Sequence, residues 1–114
     1  MALIEPIHHA ELRHVSRLTD DRGIFEHARG VHPRFSHGYC TDDNARLLVV
    51  TLRHQDQDRD AVVLARVAAR FLLDAQVEDG RVHNRMSFER MWTDQPSRDD
   101  CWGRAMWGFG TAVS

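Results

Sequence analysis

The pattern of apolar and polar positions along the chain predicts an all-helical protein. In the first apolar segment, Ile7, Leu12, Val15 and Leu18 fall on roughly one face of a helix. The third predicted helix repeats a polar residue every four positions, which leaves one narrow polar stripe and indicates packing on several sides. The predicted helices are residues 6–18, 42–54, 61–76 and a last one that starts near Asp99 or Asp100.

Two segments between the helices do not follow the helical pattern. Residues 24–36 are ambiguous, because one or two helical turns are followed by breakers at Pro33 and Gly38. Residues 80–92 begin near the turn signal Asp79-Gly80, and apolar residues then approach strict alternation. We therefore expect a short hairpin or extended loop near 80–92.

Two helix starts carry the same arrangement of charges. TDDNAR spans residues 41–46 and RDDCWGR spans residues 98–104, and each contains Asp-x-x-x-Arg when Asp42 is aligned with Asp100. Thr41 is predicted as the N-cap of the first of these helices, with two acids in the first turn where the helix dipole favours negative charge. The spacing suggests an internal repeat of helical hairpins, as in a toroid or solenoid, although chance competes with so short a match.

The last predicted helix is the most apolar and carries no charge after Arg104. Its small residues permit close backbone approach but lower helix propensity, so it needs burial on nearly every side. We predict that Trp107 lies in the core, among Met106 and Phe109. Four helices cannot easily cover two that are apolar on most faces. The chain is therefore expected to be a fragment of a longer domain or, less favoured, an obligate oligomer.

Composition and charge exclude several classes of function. The net charge of -2 offers no basic surplus for neutralising nucleic-acid phosphates. The sequence has no signal peptide, no long apolar run for a membrane, and only two cysteines, so a reduced cytoplasmic setting is expected. The eight histidines lack an HExxH motif and CxxC is absent, so we expect no metal and no other cofactor.

Three motifs resemble a bacterial family of all-helical, carbohydrate-associated proteins: HGYCTDDNAR, GRVHNRMSF and DDCWGRAMWGFGT. These proteins look like six-hairpin glycosidases with an (α/α)6 toroid, often found beside or fused to glycosyltransferases. The resemblance covers residues 18–114 of this chain, and the members of the family are several times longer. It implies that residues 1–114 form a partial α/α-toroid domain of antiparallel helical hairpins. It also implies that both Asp-Asp segments face a substrate cleft at one end of the inner helices.

Glycoside hydrolysis by the usual route needs two carboxyl groups, and the Asp-Asp pairs supply candidates. Adjacent helical residues point about 100° apart, so one acid of each pair can cap the helix while its neighbour faces the cleft. We predict Asp43 and Asp100 as catalytic, with Asp42 and Asp99 binding substrate. Alternatively, all four acids are caps, and Asp42–Arg46 and Asp100–Arg104 are ordinary (i, i+4) ion pairs.

Aromatic and amide groups near the acids suit a saccharide. Sugars stack their C–H faces on indole rings, although Trp92 and Trp102 have core packing as an equal alternative. The polar segment HNRMSFERMW, residues 83–92, offers amide and guanidinium groups as directional donors for hydroxyl groups, but it can equally be a solvated loop. The remaining predicted substrate-binding residues are His37, Arg46, Asn84, Arg90, Trp92, Trp102 and Arg104.

The expected function is that of a glycoside hydrolase-like protein acting on an oligo- or polysaccharide. One alternative is a non-catalytic carbohydrate-binding or scaffold domain that partners a glycosyltransferase, and another is an inactive truncated remnant. The first two differ in whether a carboxyl group in the cleft has a raised pKa. Exposed apolar helices would also permit self-association.

Overall fold

The computed structural model of the chain describes residues 12–26, 28–29, 32–33, 35–56 and 59–114. These residues form a mostly helical structure, which confirms the predicted helical class. Residues 12–17 form helix α1, and the part of the predicted first helix before residue 12 lies outside the described residues. The other helices are α2 (Thr41–His54), α3 (Arg59–Ala75) and α4 (Asp100–Val113), close to the predicted bounds.

Helix α2 forms the centre of the structure, because it packs against both α3 and α4. Leu48 of α2, Phe71 and Leu72 of α3 and Ala105 of α4 are fully or almost fully buried in one core cluster. Burial of such apolar side chains contributes about 1.5–3 kcal/mol for each large one. The buried residues of α2 and α3 form this core, but Val63 and Leu73 of α3 are 60% and 62% exposed, so the predicted packing of α3 on several sides is wrong.

Helices α2 and α4 lie side by side and run in the same direction. Near their starts, Asp42 of α2 approaches Arg104 of α4, with 3.4 Å between Oδ1 and Nε. One turn further along both helices, a Cβ atom at Gly108 would lie 3.4 Å from a methyl group of Leu48. It would also lie 3.1 Å from Leu72, so a glycine at this position permits the close approach of α4.

Short antiparallel strands connect the helices. In the ambiguous region, β1 (Ala28–Arg29) pairs with β2 (His32–Pro33), and the 3-10 helix Phe35–His37 follows. Next, β3 (Tyr39–Cys40) pairs with β4 (Arg85–Met86), which joins the chain before α2 to the loop after α3. Residues 24–36 thus contain paired extended segments together with a single short 3-10 turn.

The extended segment predicted near 80–92 is present as a tight hairpin. Met86 bridges Trp92 in antiparallel fashion, and Ser87 N donates to Met91 O at 2.9 Å. Arg90 closes the turn with a positive φ of 68°, a conformation that non-glycine residues seldom adopt. The sequence pattern gave no indication of the long-range pairing of this hairpin with β3.

Helix α4 differs most from expectation. Its buried residues are Cys101, Ala105 and Gly108, which lie on one stripe. Trp107 is 45% exposed and Val113 is 87% exposed, so the prediction that Trp107 lies in the core is wrong. The other described helices cover one side of α4, and Trp107 belongs to the opposite side.

The predicted N-cap at Thr41 is also wrong. Cys40 occupies the N-cap position of α2, with the extended backbone of β3, and Thr41 already belongs to the helix. Asp99 is the N-cap of α4, which agrees with the prediction that this helix starts near Asp99 or Asp100. Within the described part of the chain, neither Cys40 nor Asp99 makes a side-chain capping hydrogen bond.

Candidate functional site

The starts of α2 and α4 share one polar cleft with the loop that precedes α4. The cleft encloses about 700 Å³. Asp42 enters it from α2, and Asp99 and Asp100 enter it from the start of α4. The lining residues are Asp42, Asn84, Asp94, Gln95, Ser97, Asp99, Asp100 and Cys101.

Hydrogen bonds fix the loop side of the cleft to the start of α2. Thr41 N donates to Asn84 O at 2.8 Å, and Thr41 Oγ1 donates to His83 O at 2.6 Å. From the other side, the carboxylate of Asp94 accepts the backbone N–H groups of Asn84 at 2.7 Å and Arg85 at 3.1 Å. The cleft wall is therefore built into the fold and is not a freely moving loop.

Three buried polar atoms around the cleft have no hydrogen-bond partner among the described residues: Asp42 Oδ1, Asn84 Oδ1 and Arg104 Nε. The Asp42 and Arg104 atoms are 3.4 Å apart, close enough for charge attraction, but they do not align as a hydrogen bond. Buried polar groups in folded proteins are normally paired, so Asn84 Oδ1 has unused hydrogen-bonding capacity, whereas Asp42 and Arg104 interact with each other as an ion pair.

Asp43, the predicted catalytic acid of the first pair, faces a different pocket. This second pocket of about 290 Å³ is lined mainly by apolar side chains of α1 and α2, with Glu26 and Arg46 beside Asp43. Cys40 Sγ donates to Asp43 Oδ2 at 3.2 Å. Burial raises the pKa of Asp43 above its ordinary value of 3.8. The structure therefore brings Asp42, not Asp43, into one cleft with Asp100.

The arginines of the two motifs do not make the (i, i+4) pairs considered from the sequence. Arg46 Nη1 lies 3.7 Å from Asp43 Oδ1, three residues earlier in the same helix. Arg104 reaches across to Asp42 of α2. The charged pair at Asp42 thus links the two helices, because α4 is offset from α2 by about one turn.

The tryptophans have different surroundings from those expected. Trp92 stacks on His83, with 5.1 Å between ring centroids and an interplanar angle of 11°, and its edge contacts Phe71. Trp92 and Trp102 are partly buried and pack against the main core. Tyr39, the aromatic residue before the first acidic pair, is fully buried and its hydroxyl donates to Asp20. Trp107 is the most exposed of the three indoles.

Arg90 and His37 lie outside the lining of the cleft. Arg90 forms a two-bond pair with Asp21, at 2.5 Å and 3.3 Å, and this pairing lowers the pKa of Asp21. His37 is exposed at the end of the 3-10 helix.

Sequence reasoning missed Asp94, Gln95 and Ser97 in the segment before α4, and Cys101 in its first turn. The available signal was a polar loop directly before an acidic helix start, which is where a cleft between helix starts gains its wall. Cys101 is buried, and burial raises the pKa of its thiol, so it lacks the thiolate character of a nucleophile.

Three further findings concern what the chain holds and what it resembles. Among the described residues, no group of three or more His, Cys, Asp or Glu side chains is arranged to hold a metal ion. In the same part of the chain, no helix combines the length and apolarity needed to cross a membrane. In comparisons with known proteins, no family model, no curated protein and no solved structure matches the chain.

Proposed function

We propose that the polar cleft binds carbohydrate and that the chain is part of a glycoside hydrolase-like domain. The observation that carries this proposal is the convergence of Asp42, Asp99 and Asp100, from two helix starts, in one polar cleft. The cleft volume falls within the range of about 300–1,000 Å³ that is usual for small-molecule sites.

The accessible polar groups at the two helix starts have the chemistry that a sugar hydroxyl needs. The exposed carboxylates of Asp99 and Asp100 accept hydrogen bonds, and the partly exposed side chains of Asp42 and Arg104 add a further acceptor and a donor. A hydroxyl group both donates and accepts, so neighbouring hydroxyls on one ring can satisfy both kinds of atom. Charge-assisted hydrogen bonds to Asp42 and Arg104 would be the stronger ones.

The helix arrangement supports an α/α toroid. Successive hairpins of such a toroid bring inner helices side by side in the same direction, with their starts at one end. Helices α2 and α4 have this relation, and α3 returns between them along the chain. We propose that α2 and α4 are inner helices of a partial toroid, in line with the three motifs that resemble the six-hairpin glycosidase-like family.

For hydrolysis, one carboxyl group protonates the leaving oxygen and a second acts as base or nucleophile. Asp42 and Asp100 are the pair that the cleft offers for these roles. Asp43 has the raised pKa of a proton donor, but it lines the other pocket.

The position of Asp43 favours a second candidate function. Asp43 lines the other pocket, so it is not placed to protonate a sugar in the cleft, and a saccharide-binding domain needs no such proton donor. Such a domain would present carbohydrate to a partner enzyme, of which a glycosyltransferase is the proposed kind.

The test is calorimetric titration of the purified chain with cellohexaose, maltohexaose, mannohexaose and chitohexaose. We expect at least one to bind, and Asp100→Asn to weaken it by about tenfold or more, because a charge-assisted hydrogen bond is worth about 1.5–3 kcal/mol. Asp56→Asn is the matched control, since Asp56 is exposed in the turn after α2.

Two outcomes contradict the proposal. If none of the four hexasaccharides binds, the cleft is not a site for neutral or acetylated hexose chains. If Asp100→Asn and Asp56→Asn bind equally well, the binding lies elsewhere. Release of reducing ends from a bound hexasaccharide would support the hydrolase function. Binding without such release would support the function of a non-catalytic binding domain.

A further inference from the structure

The indole of Trp107 is the tryptophan surface that the fold leaves open. Trp107 is 45% exposed, whereas Trp92 and Trp102 are partly buried against the core. An exposed indole beside polar groups is a typical element of a binding site.

Trp107 lines a groove of about 510 Å³ along α4. The groove adjoins the polar cleft at Asp99 and Asp100, which line both. At its other end it reaches Trp107, and its full lining is Arg98, Asp99, Asp100, Gly103, Arg104 and Trp107. A sugar ring bound in the cleft would therefore lie next to the groove that leads to Trp107.

Gly103 leaves this groove open. No described atom lies within 4 Å of the position that a Cβ at Gly103 would take, so packing within the described structure does not require a glycine here. Asp100, Gly103 and Trp107 are spaced by three and four residues and share one helix face. From Asp100 to Trp107 the rise is about 10 Å, a distance that consecutive rings of an oligosaccharide can span.

The charges around Trp107 favour a saccharide over a protein as the occupant. The fully buried centre of a protein interface is depleted of charged residues. The groove instead presents two guanidinium groups and two carboxylates around one aromatic ring. Arg98 is held in place, since its Nη2 donates to Asp79 O at 2.9 Å.

We propose that Trp107 is the stacking platform of a second saccharide subsite, so that cleft and groove together bind an oligosaccharide along α4. This inference rests on the proposed carbohydrate-binding function and assigns the stacking role to Trp107 instead of Trp102. The apolar face of a sugar ring lies on the indole, and its hydroxyls meet Arg98, Asp100 and Arg104.

The test compares chain length and position on α4. The hexasaccharide that binds best among the cello-, malto-, manno- and chito-series, and its monosaccharide, are titrated into four variants: Trp107→Ala, Gly103→Leu, Gly110→Leu and Asp100→Asn. Gly110→Leu is the matched control. Its Cβ would also meet no described atom within 4 Å, and Gly110 is absent from the groove lining. Leucine is the better helix former at both glycines, so folding is retained.

We expect Trp107→Ala and Gly103→Leu each to weaken hexasaccharide binding by about tenfold, with monosaccharide binding unchanged and Gly110→Leu like the native chain. Weakening by Asp100→Asn, with no effect of Trp107→Ala or Gly103→Leu, would overturn the subsite and leave the proposed function standing. No binding by the native chain would overturn both. Dimers in gel filtration that Trp107→Ala dissociates, with sugar binding unaltered, would assign this face to a second copy and overturn the subsite.

Discussion

The two Asp-Asp helix starts share the arrangement Asp-x-x-x-Arg but have very different surroundings. At the start of α2, Thr41 and Asn44 are fully buried. Asn44 Oδ1 accepts Ile24 N at 3.0 Å, and Asn44 Nδ2 donates to Cys40 O at 2.8 Å. At the start of α4, Asp99 and Asp100 are both exposed, and Cys101 is the first buried residue.

This difference shows that position in the fold, and not the motif itself, decides the role of each segment. The start of α2 is a junction that joins the loops on both sides of it by side-chain hydrogen bonds. The start of α4 is attached to the core mainly through Cys101 and Ala105, so its acids are free to contact a ligand. Each prediction below changes a residue of α2 or of α4.

The largest expected effect is at Asn44. Asn44→Ala removes both of its hydrogen bonds and leaves Ile24 N–H and Cys40 C=O without their partner. Each unpaired buried group costs about 1–3 kcal/mol, so we expect a loss of about 3 kcal/mol in the free energy of unfolding, measured by urea denaturation.

The counterpart at the other start is Asp100→Asn. Asp100 is exposed, and we expect the free energy of unfolding to change by about 0.5 kcal/mol or less. Equal losses in the free energy of unfolding for Asn44→Ala and Asp100→Asn would show that the two starts have the same structural role. This result would contradict the difference described above.

Thr41 is expected to have the next largest effect. Thr41→Val keeps the shape of the side chain but removes the hydroxyl that donates to His83 O. The loss of this buried hydrogen bond should lower the free energy of unfolding by about 1–2 kcal/mol. Thr41→Ser is the control and should retain most of the stability, whereas an equal loss in both variants would point to the methyl group instead.

Two glycines of α4 test which side of the helix is covered. Gly103→Ala should stabilise the protein by up to about 1 kcal/mol, because alanine favours helix and the site is open. Gly108→Ala should destabilise it, because the new Cβ would lie 3.1 Å from buried Leu72, and overpacking that costs about 1–3 kcal/mol outweighs the helix-propensity gain of about 1 kcal/mol. Thermal unfolding measures both, and changes of the same sign would mean that the two faces are equally covered.

The smallest expected effect concerns Asp43 and depends on pH. Because burial raises its pKa in the folded state, the folded protein binds the proton more tightly than the unfolded chain does. Stability from this group is therefore present at low pH and is lost as pH rises through the raised pKa. We expect Asp43→Asn to unfold at a higher temperature than the native chain at pH 7, with the difference closing below pH 3.8. A difference that stays constant with pH would contradict the burial of this carboxyl.

The fold could be predicted from sequence where a segment carries its own pattern. The apolar periodicity of α2 and α3 and the acidic start of α4 gave the helices to within about two residues. The pairing of β3 with β4 could not be predicted, because two-residue strands carry almost no pattern. Thr41 looked like a cap because nothing in the sequence shows that Cys40 is held in an extended strand before it.

The meeting of the two Asp-Asp segments was predictable from the sequence, but the orientation of their acids was not. The Asp-Asp segments do meet in one cleft, yet the sequence cannot tell which acid of each pair faces it, and Asp42 takes the place expected of Asp43. Trp107 was misplaced because the neighbours that cover a helix face belong to other segments. Asp94 was missed because its role, holding the backbone of Asn84 and Arg85, depends on tertiary contact.

The most direct test of the carbohydrate cleft is an amide NMR titration of the ¹⁵N-labelled chain with the hexasaccharide that binds best. We expect the largest chemical-shift changes at the amides of Asn84, Asp94, Asp100 and Gly103 and at the indole N–H of Trp107. The outer face of α3, where Val63 and Leu73 are exposed, should not change. Shifts confined to α3, or no shifts at saturating sugar, would contradict a saccharide site between the starts of α2 and α4.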